Sequence, residues 1–122
     1  DGRAVKSAEL RGPSNGTAEP SANIRERVIE ARRRQLERFR GEGIFSNSAM
    51  SPGQIRKFCC LDAQGETLLE RAMTRQGLSA RGHDRILKVA RTIADLAAAD
   101  AIGPEHLSEA INYRSLDRDY WS

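Results

Sequence analysis

Ser79-Ala80-Arg81-Gly82-His83-Asp84-Arg85-Ile86-Leu87-Lys88-Val89-Ala90-Arg91-Thr92-Ile93-Ala94-Asp95-Leu96-Ala97-Ala98 is the stretch whose periodicity decides the fold. At about 100° per residue, Ile86, Leu87, Ala90, Ile93, Ala94 and Ala97 fall in one arc. Arg81, Arg85, Lys88 and Thr92 stack on the opposite side. One face is made to pack and the other presents cations. Ser79 offers an N-cap oxygen, so a helix is expected from Ser79 to about Ala98.

Working outward, the same signals recur on both sides. Downstream, Gly103-Pro104 opens a further helix with Leu107, Ala110 and Ile111 inward. Upstream, Asp62 caps a helix whose buried stripe is Leu68, Leu69, Ala72 and Met73, stopped by Gly77. Ser51-Pro52-Gly53-Gln54 combines Pro at the first helical position with a capping-box pair, and predicts a short helix through Phe58. Ile44 to Met50 reads as an irregular connection. Before it, apolar residues at Ile24, Val28, Ala31, Leu36 and Phe39 recur near the helical period from about Ser21 to Arg40, with Asn23 and Glu26 as the cap pair. Gly41 and Gly43 end that helix. Residues 1–20 hold Gly2, Gly12, Pro13, Gly16 and Pro20 and few large apolar groups, so they are expected to be a flexible tail or linker. No stretch alternates with period two over a useful length. The expected class is all-α, a bundle of four to five helices over residues 21–122.

The charge is uneven. The chain carries 20 basic and 17 acidic residues, net +3, and residues 21–40 alone hold seven arginines against three glutamates. Arg25, Arg32, Arg33 and Arg34 are therefore candidates for contact with DNA or an acidic partner. The competing reading is a solvated helix face on which arginines pair with Glu26, Glu30 and Glu37 at three- and four-residue spacing. No run approaches the roughly 20 apolar residues that span a bilayer, and the first residues lack a signal-peptide core. A cytoplasmic protein without membrane contact is expected.

Two cysteines, Cys59 and Cys60, are adjacent, a geometry that excludes an unstrained bridge between them. Both are expected to be small buried hydrophobes. With His83 and His106 they match no zinc-ligand spacing, so no metal site is expected, and neither histidine has a catalytic partner in sequence. The chain has no G-x-x-x-x-G-K-[ST] loop, no G-x-G-x-x-G and no acidic pair placed for magnesium. It is not expected to bind and split a nucleotide alone. Arg81 is the one oddity, a cation in a first helical turn where the macrodipole disfavours it by a few tenths of a kcal/mol. Ser79, the first-turn amides and Arg81 make a partial anion site.

These residues carry a resemblance. Cys60-Leu61-Asp62, Leu68-Leu69, Ala72, Gly77-Leu78-Ser79-Ala80-Arg81, Arg85 through Leu96, His106-Leu107, Glu109-Ala110-Ile111 and Tyr113 through Arg118 resemble the C-terminal domain of the magnesium-chelatase-like AAA+ ATPases, the ComM/YifB group. The likeness runs from about Ser21 to Arg118, and Val28, Ala31-Arg32, Gln35 and Arg38 resemble that family's segment between core and lid. Here Gly82 and His83 stand where the family usually has an alanine and an aromatic residue. The resemblance implies a helical lid whose phosphate loop lies upstream in a longer ATPase that uses ATP and Mg2+, with none bound by this stretch alone. It implies Arg81 as the sensor-2 arginine acting on the γ-phosphate, with Ser79 and Arg85 beside it at the nucleotide. Its implied partners are the upstream AAA+ core and neighbouring subunits of a homo-oligomeric ring, and its implied work is DNA processing such as branch migration, or chelatase-type chemistry. A free-standing basic helical module for nucleic acid or protein is the alternative.

Overall fold

The computed structural model describes residues 20–121, with side chains through Tyr113. The expected tail at 1–20 lies outside the described residues except for Pro20. Five α-helices follow one another: α1 (Ser21–Arg38), α2 (Pro52–Phe58), α3 (Ala63–Gln76), α4 (Ala80–Leu96) and α5 (Pro104–Trp121), with one 3₁₀ turn at Asn47–Ala49. No strand occurs among the described residues, so the all-α expectation holds.

α4 is the central rod, packed against α5, α1, α2 and the 3₁₀ turn, while α3 packs on α5. Ile86, Leu87, Ala90 and Ala94 of α4 meet Leu69 and Ala72 of α3 and Leu107, Ala110 and Ile111 of α5 in one buried cluster. Alanines at the helix crossings let backbones approach closely, and leucine and isoleucine fill the volume beside them. Phe39, at the end of α1, meets the Phe58 ring edge-on at 5.4 Å and 89°, a favourable aromatic geometry. Ile55 of α2 and Met50 close this end.

The helix ends are set locally. Ser51 Oγ accepts from the Gln54 amide at 3.2 Å and Gln54 Oε1 accepts from the Ser51 amide at 2.8 Å, a complete capping box. Asp62 Oδ1 accepts from the Gly65 amide at 2.8 Å at the start of α3. Gly77, at φ +62°, turns the chain out of α3, and the Leu78 amide reaches back to the Met73 carbonyl.

Five expectations are corrected. Asn23 does not cap α1: the helix starts two residues earlier behind Pro20, whose carbonyl accepts from the Asn23 and Ile24 amides, so Asn23 is already helical. The helix stops at Arg38, with Phe39 pulled into the core. Cys59 is buried, and burial pushes its thiol up to about 11, whereas Cys60 is exposed because adjacent residues at the end of α2 point to different sides. Ala97 is exposed, since α4 ends at Leu96 and the chain then turns through Ala98 at φ +56°. Thr92 is half-buried, its hydroxyl donating to the Lys88 carbonyl and accepting from Asn47 Nδ2 at 3.0 Å, so it leaves the cationic face.

α1 is joined to this core by polar bonds more than by apolar packing. Asp95, with no exposure, accepts from both ends of the Arg38 guanidinium at 2.6 and 2.9 Å and from Asn47 Nδ2 at 2.9 Å, and Arg91 Nη2 lies 3.2 Å away. Asn47 in turn accepts from Arg38 Nη1 at 3.0 Å, and its backbone amide donates to Gln35 Oε1 at 2.8 Å. A buried carboxylate with several charge-assisted donors is tolerated, and one stripped of them is not. Removing one member of such a buried pair costs about 3–5 kcal/mol, against under about 1 kcal/mol for an exposed pair. Urea denaturation should therefore show Arg38→Ala losing about 3 kcal/mol or more, while Arg40→Ala, which frees only the exposed Glu37, stays within about 0.5 kcal/mol of wild type. Equal small losses would mean the Asp95 centre is dispensable.

Candidate functional site

The first turn of α4 is built by its cap. Ser79 Oγ accepts from the Gly82 amide at 3.4 Å and the Ser79 carbonyl accepts from the His83 amide at 3.0 Å. The Ala80 and Arg81 amides precede the first intrahelical bond and stay at the positive end of the helix. Gly82 is buried on the inner side of this turn and Arg81 is exposed on the outer side. One helical turn spaces Arg81, Arg85 and Lys88 along the same face.

A cleft of about 350 Å³ runs along that face, lined by Met50, Pro52, Ile55, Arg81, Asp84, Arg85 and Lys88. Three cations share it with one carboxylate. Lys88 Nζ donates to the Ser48 carbonyl at 3.1 Å, and Asp84 Oδ1 lies 3.1 Å from His83 Nδ1. The structure thus brings Ser79, Arg81 and Arg85 to one end of α4. Asp84 interrupts the positive surface of this cleft. Among the described residues no group of three or more His, Cys, Asp or Glu side chains is arranged to hold a metal ion.

The α1 arginines fare differently. Arg33 is bidentate to Glu30 at 2.9 and 2.8 Å. Arg34 shares Glu30 at 3.0 Å and also bonds Asp100 Oδ1 at 2.9 Å and the Ala98 carbonyl at 3.2 Å, tying α1 to the turn after α4. Arg25 and Arg32 are exposed. The competing reading of paired arginines thus holds for Glu30, and for Glu37 with Arg40 at 2.8 Å. The four candidate contact residues do not form one patch of open charge.

His106 is buried, and its Nδ1 accepts from the Gly103 amide at 2.9 Å, which stiffens the start of α5. His83 is half-exposed at the margin of two other clefts. Sequence reasoning missed Arg38, Asn47, Arg91 and Asp95. Their one signal was an acidic residue within an otherwise apolar-to-basic helix segment.

With this geometry in view, comparison with known proteins is decisive. The family described as magnesium chelatase, subunit ChlI C-terminal, matches residues 18–114. The chain belongs to this family. It is 42% identical over 100 residues to the uncharacterized protein YifB of Escherichia coli K12, covering 82% of this chain and 19% of YifB. To the competence protein ComM of Haemophilus influenzae it is 41% identical over the same length, again 82% of this chain and 19% of that protein. An uncharacterized protein of Mycobacterium tuberculosis H37Rv, Rv2897c, is 32% identical over 101 residues, 83% of this chain and 20% of the relative. The chain thus spans about a fifth of the length of these relatives. No described helix of this magnesium-chelatase C-terminal domain is long and apolar enough to cross a membrane.

The Glu30 clamp gives a pH test. Hydrogen bonds from Arg33 first, then Arg34, hold the Glu30 carboxyl at about 2 against an ordinary 4.5. Because the folded value is depressed, the clamp's contribution is whole above about 4.5 and is lost as pH falls through about 2. Carboxyl NMR of the chain should place the Glu30 midpoint near 2, rising toward the ordinary range in Arg33→Ala. A wild-type midpoint in the ordinary range would show the clamp open in solution.

Proposed function

We propose that this domain is the lid of an AAA+ ATPase and that Arg81 acts as its sensor-2 residue, reaching the terminal phosphate of ATP bound, with Mg2+, by a core domain upstream. The observation that carries the reading is the exposed guanidinium of Arg81 at the head of the central helix, beside Arg85 and Lys88. Family membership supports it. As the terminal phosphoanhydride bond of ATP breaks, negative charge builds on the leaving bridging oxygen and is spread over the oxygens of the transferring group. Arg81, set beside the first-turn amides, would draw that charge toward the lid. Ser79 fixes the turn that holds it, and Arg85, one turn on, adds positive potential. The rod-like α4 then carries the position of Arg81 to the rest of the domain, which links nucleotide state to lid orientation within a ring of copies.

The motor's work is proposed to be DNA processing, supported by the 41% identity to a protein named for competence. The lid itself would contribute little DNA affinity, because Arg33 and Arg34 are committed to Glu30 and Asp100. That same observation speaks against a free-standing nucleic-acid module. Fluorescence anisotropy of the chain should show weak DNA binding, indifferent to sequence and fading as salt rises. Binding that survives high salt or discriminates sequences would reinstate the module reading.

The site is tested in the full-length protein. Arg81→Ala should lower ATP turnover by about tenfold or more, the scale for removing a positioned donor at a developing charge, and Arg85→Ala should lower it less. The melting temperature of the isolated Arg81→Ala chain should stay within about 2 °C of wild type, as for an exposed position. Normal turnover in Arg81→Ala beside a loss in Arg85→Ala would move the sensor role to Arg85. A marked drop in chain stability would make Arg81 structural.

A further inference from the structure

α1 carries a face its own bundle leaves uncovered. Arg25, Ile29, Arg32 and Leu36 recur at four-, three- and four-residue steps and fall within about 60° of arc, roughly half a turn from Arg34, which bonds toward α4. All four are exposed, with Ile29 at 59% and Leu36 at 57%. Phe45, 77% exposed, extends the strip, and a hollow of about 410 Å³ lies between Leu36, Arg32 and its ring. Large apolar side chains this exposed in one strip mark a contact surface, and two cations among them define its charge. A phosphate backbone would gain nothing from Ile29, Leu36 and Phe45.

The complementary surface occurs on the same molecule. A groove of about 430 Å³ on α3 is lined by Glu66, Leu69, Glu70, Met73, Thr74 and His83. Glu66 and Glu70 are exposed one turn apart, above the apolar Leu69 and Met73. Helical phase sends Arg71 and Arg75 to the other side of α3, so they do not cancel this charge. Strip and groove match in kind: two arginines with apolar side chains between them, and two glutamates over an apolar floor. They cannot meet within one molecule, because α1 packs on α4 whereas α3 packs on α5.

We infer that the α1 strip of one copy docks into the α3 groove of a second copy, a head-to-tail contact. Because the two surfaces differ, the contact repeats from copy to copy and forms a ring or filament rather than a closed pair. A patch of this extent gives a transient contact in the isolated chain, which gains strength when other parts of a longer polypeptide also associate. The inference does not depend on Arg81 sensing nucleotide, and stands if that reading fails.

Sedimentation velocity on the chain, over a concentration series at low and physiological salt, tests it. The wild type should show mass rising past a dimer with concentration, more at low salt, where exposed charges are less screened. Arg25→Glu with Arg32→Glu, or Glu66→Lys with Glu70→Lys, should each weaken association about tenfold or more with helical content unchanged by circular dichroism. Mixing the two double variants pairs an intact strip with an intact groove and a reversed strip with a reversed groove, and should restore association past the dimer that neither variant shows alone. Reversing all four charges in one chain should restore association past the dimer. A wild type that stays monomeric throughout, as expected if the strip covers another protein or another part of the polypeptide, overturns the inference. So does association that ignores the reversals, or that only the α1 variant abolishes.

Discussion

A carboxylate sealed from water has to be surrounded, and Asp95 is surrounded from three directions. Arg38 comes from α1, Asn47 from the 3₁₀ turn and Arg91 from its own helix. Transferring a lone carboxylate into the interior is prohibitively costly without such partners. The charge therefore acts as a constraint on assembly: α4 can bury this part of its surface only when α1 and the turn are both in place. Hydrogen bonds are directional where apolar contacts are not. The two parallel bonds from Arg38 consequently fix the rotation and register of α1 on α4, which Ala31, the buried residue of α1, and Phe39 just beyond it leave loosely defined.

The same centre divides α4 into two ends with different duties. Asp95 sits in the last turn and Arg81 in the first, about 21 Å apart along the axis at the usual rise per residue. Between them Ile86, Leu87, Ala90 and Ala94 are buried in the core cluster, with α5 packed along the helix. A helix clamped along its length behaves as a rod, so Arg81 is presented at a position set by packing far from it. The connection to α1 is of another kind, polar and concentrated near one end. Any displacement of α1 relative to the bundle must break the Arg38–Asp95 pair or carry α4 along with it.

What could be read from sequence and what could not follow from this distinction. The α4 periodicity, the Ser51–Gln54 box, the Asp62 cap and the Gly77 stop are local signals, written within a few residues of where they act, and the all-α class followed from them. The Arg38–Asp95 pair spans 57 residues, and nothing local distinguishes it from a solvent-facing arginine and aspartate. Adjacent Cys59 and Cys60 share a composition but not a side of the chain. Ile24, Val28 and Leu36 fit a helical apolar period and yet are 45%, 40% and 57% exposed. Periodicity reports that a face exists, not that this chain contains its cover. Ser79, Arg81 and Arg85 were legible as a group because one helix positions all three.

Basic residues in this chain also take work usually left to glycine. The turn after α4 passes through Ala98 at φ +56°, a left-handed conformation that costs a residue with a Cβ roughly 1 kcal/mol. Arg34 collects the Ala98 carbonyl at 3.2 Å, and Arg91 collects those of Ala99 at 3.0 Å and Asp100 at 3.1 Å. Burial pulls the Arg91 guanidinium below its ordinary value and Asp95 draws it back, so one carboxylate steadies the cation that holds the turn. The concentration of arginine in residues 21–40 then has a cause other than phosphate binding. Arg34 and Arg38 reach across to α4 and the turn beyond it, Arg33 and Arg40 settle on Glu30 and Glu37, and the charge that faces outward at Arg25 and Arg32 lies among apolar side chains. A surface of that mixed kind discriminates between partners by requiring opposite charge and apolar area in the same place, which neither a uniformly basic nor a uniformly apolar face would do.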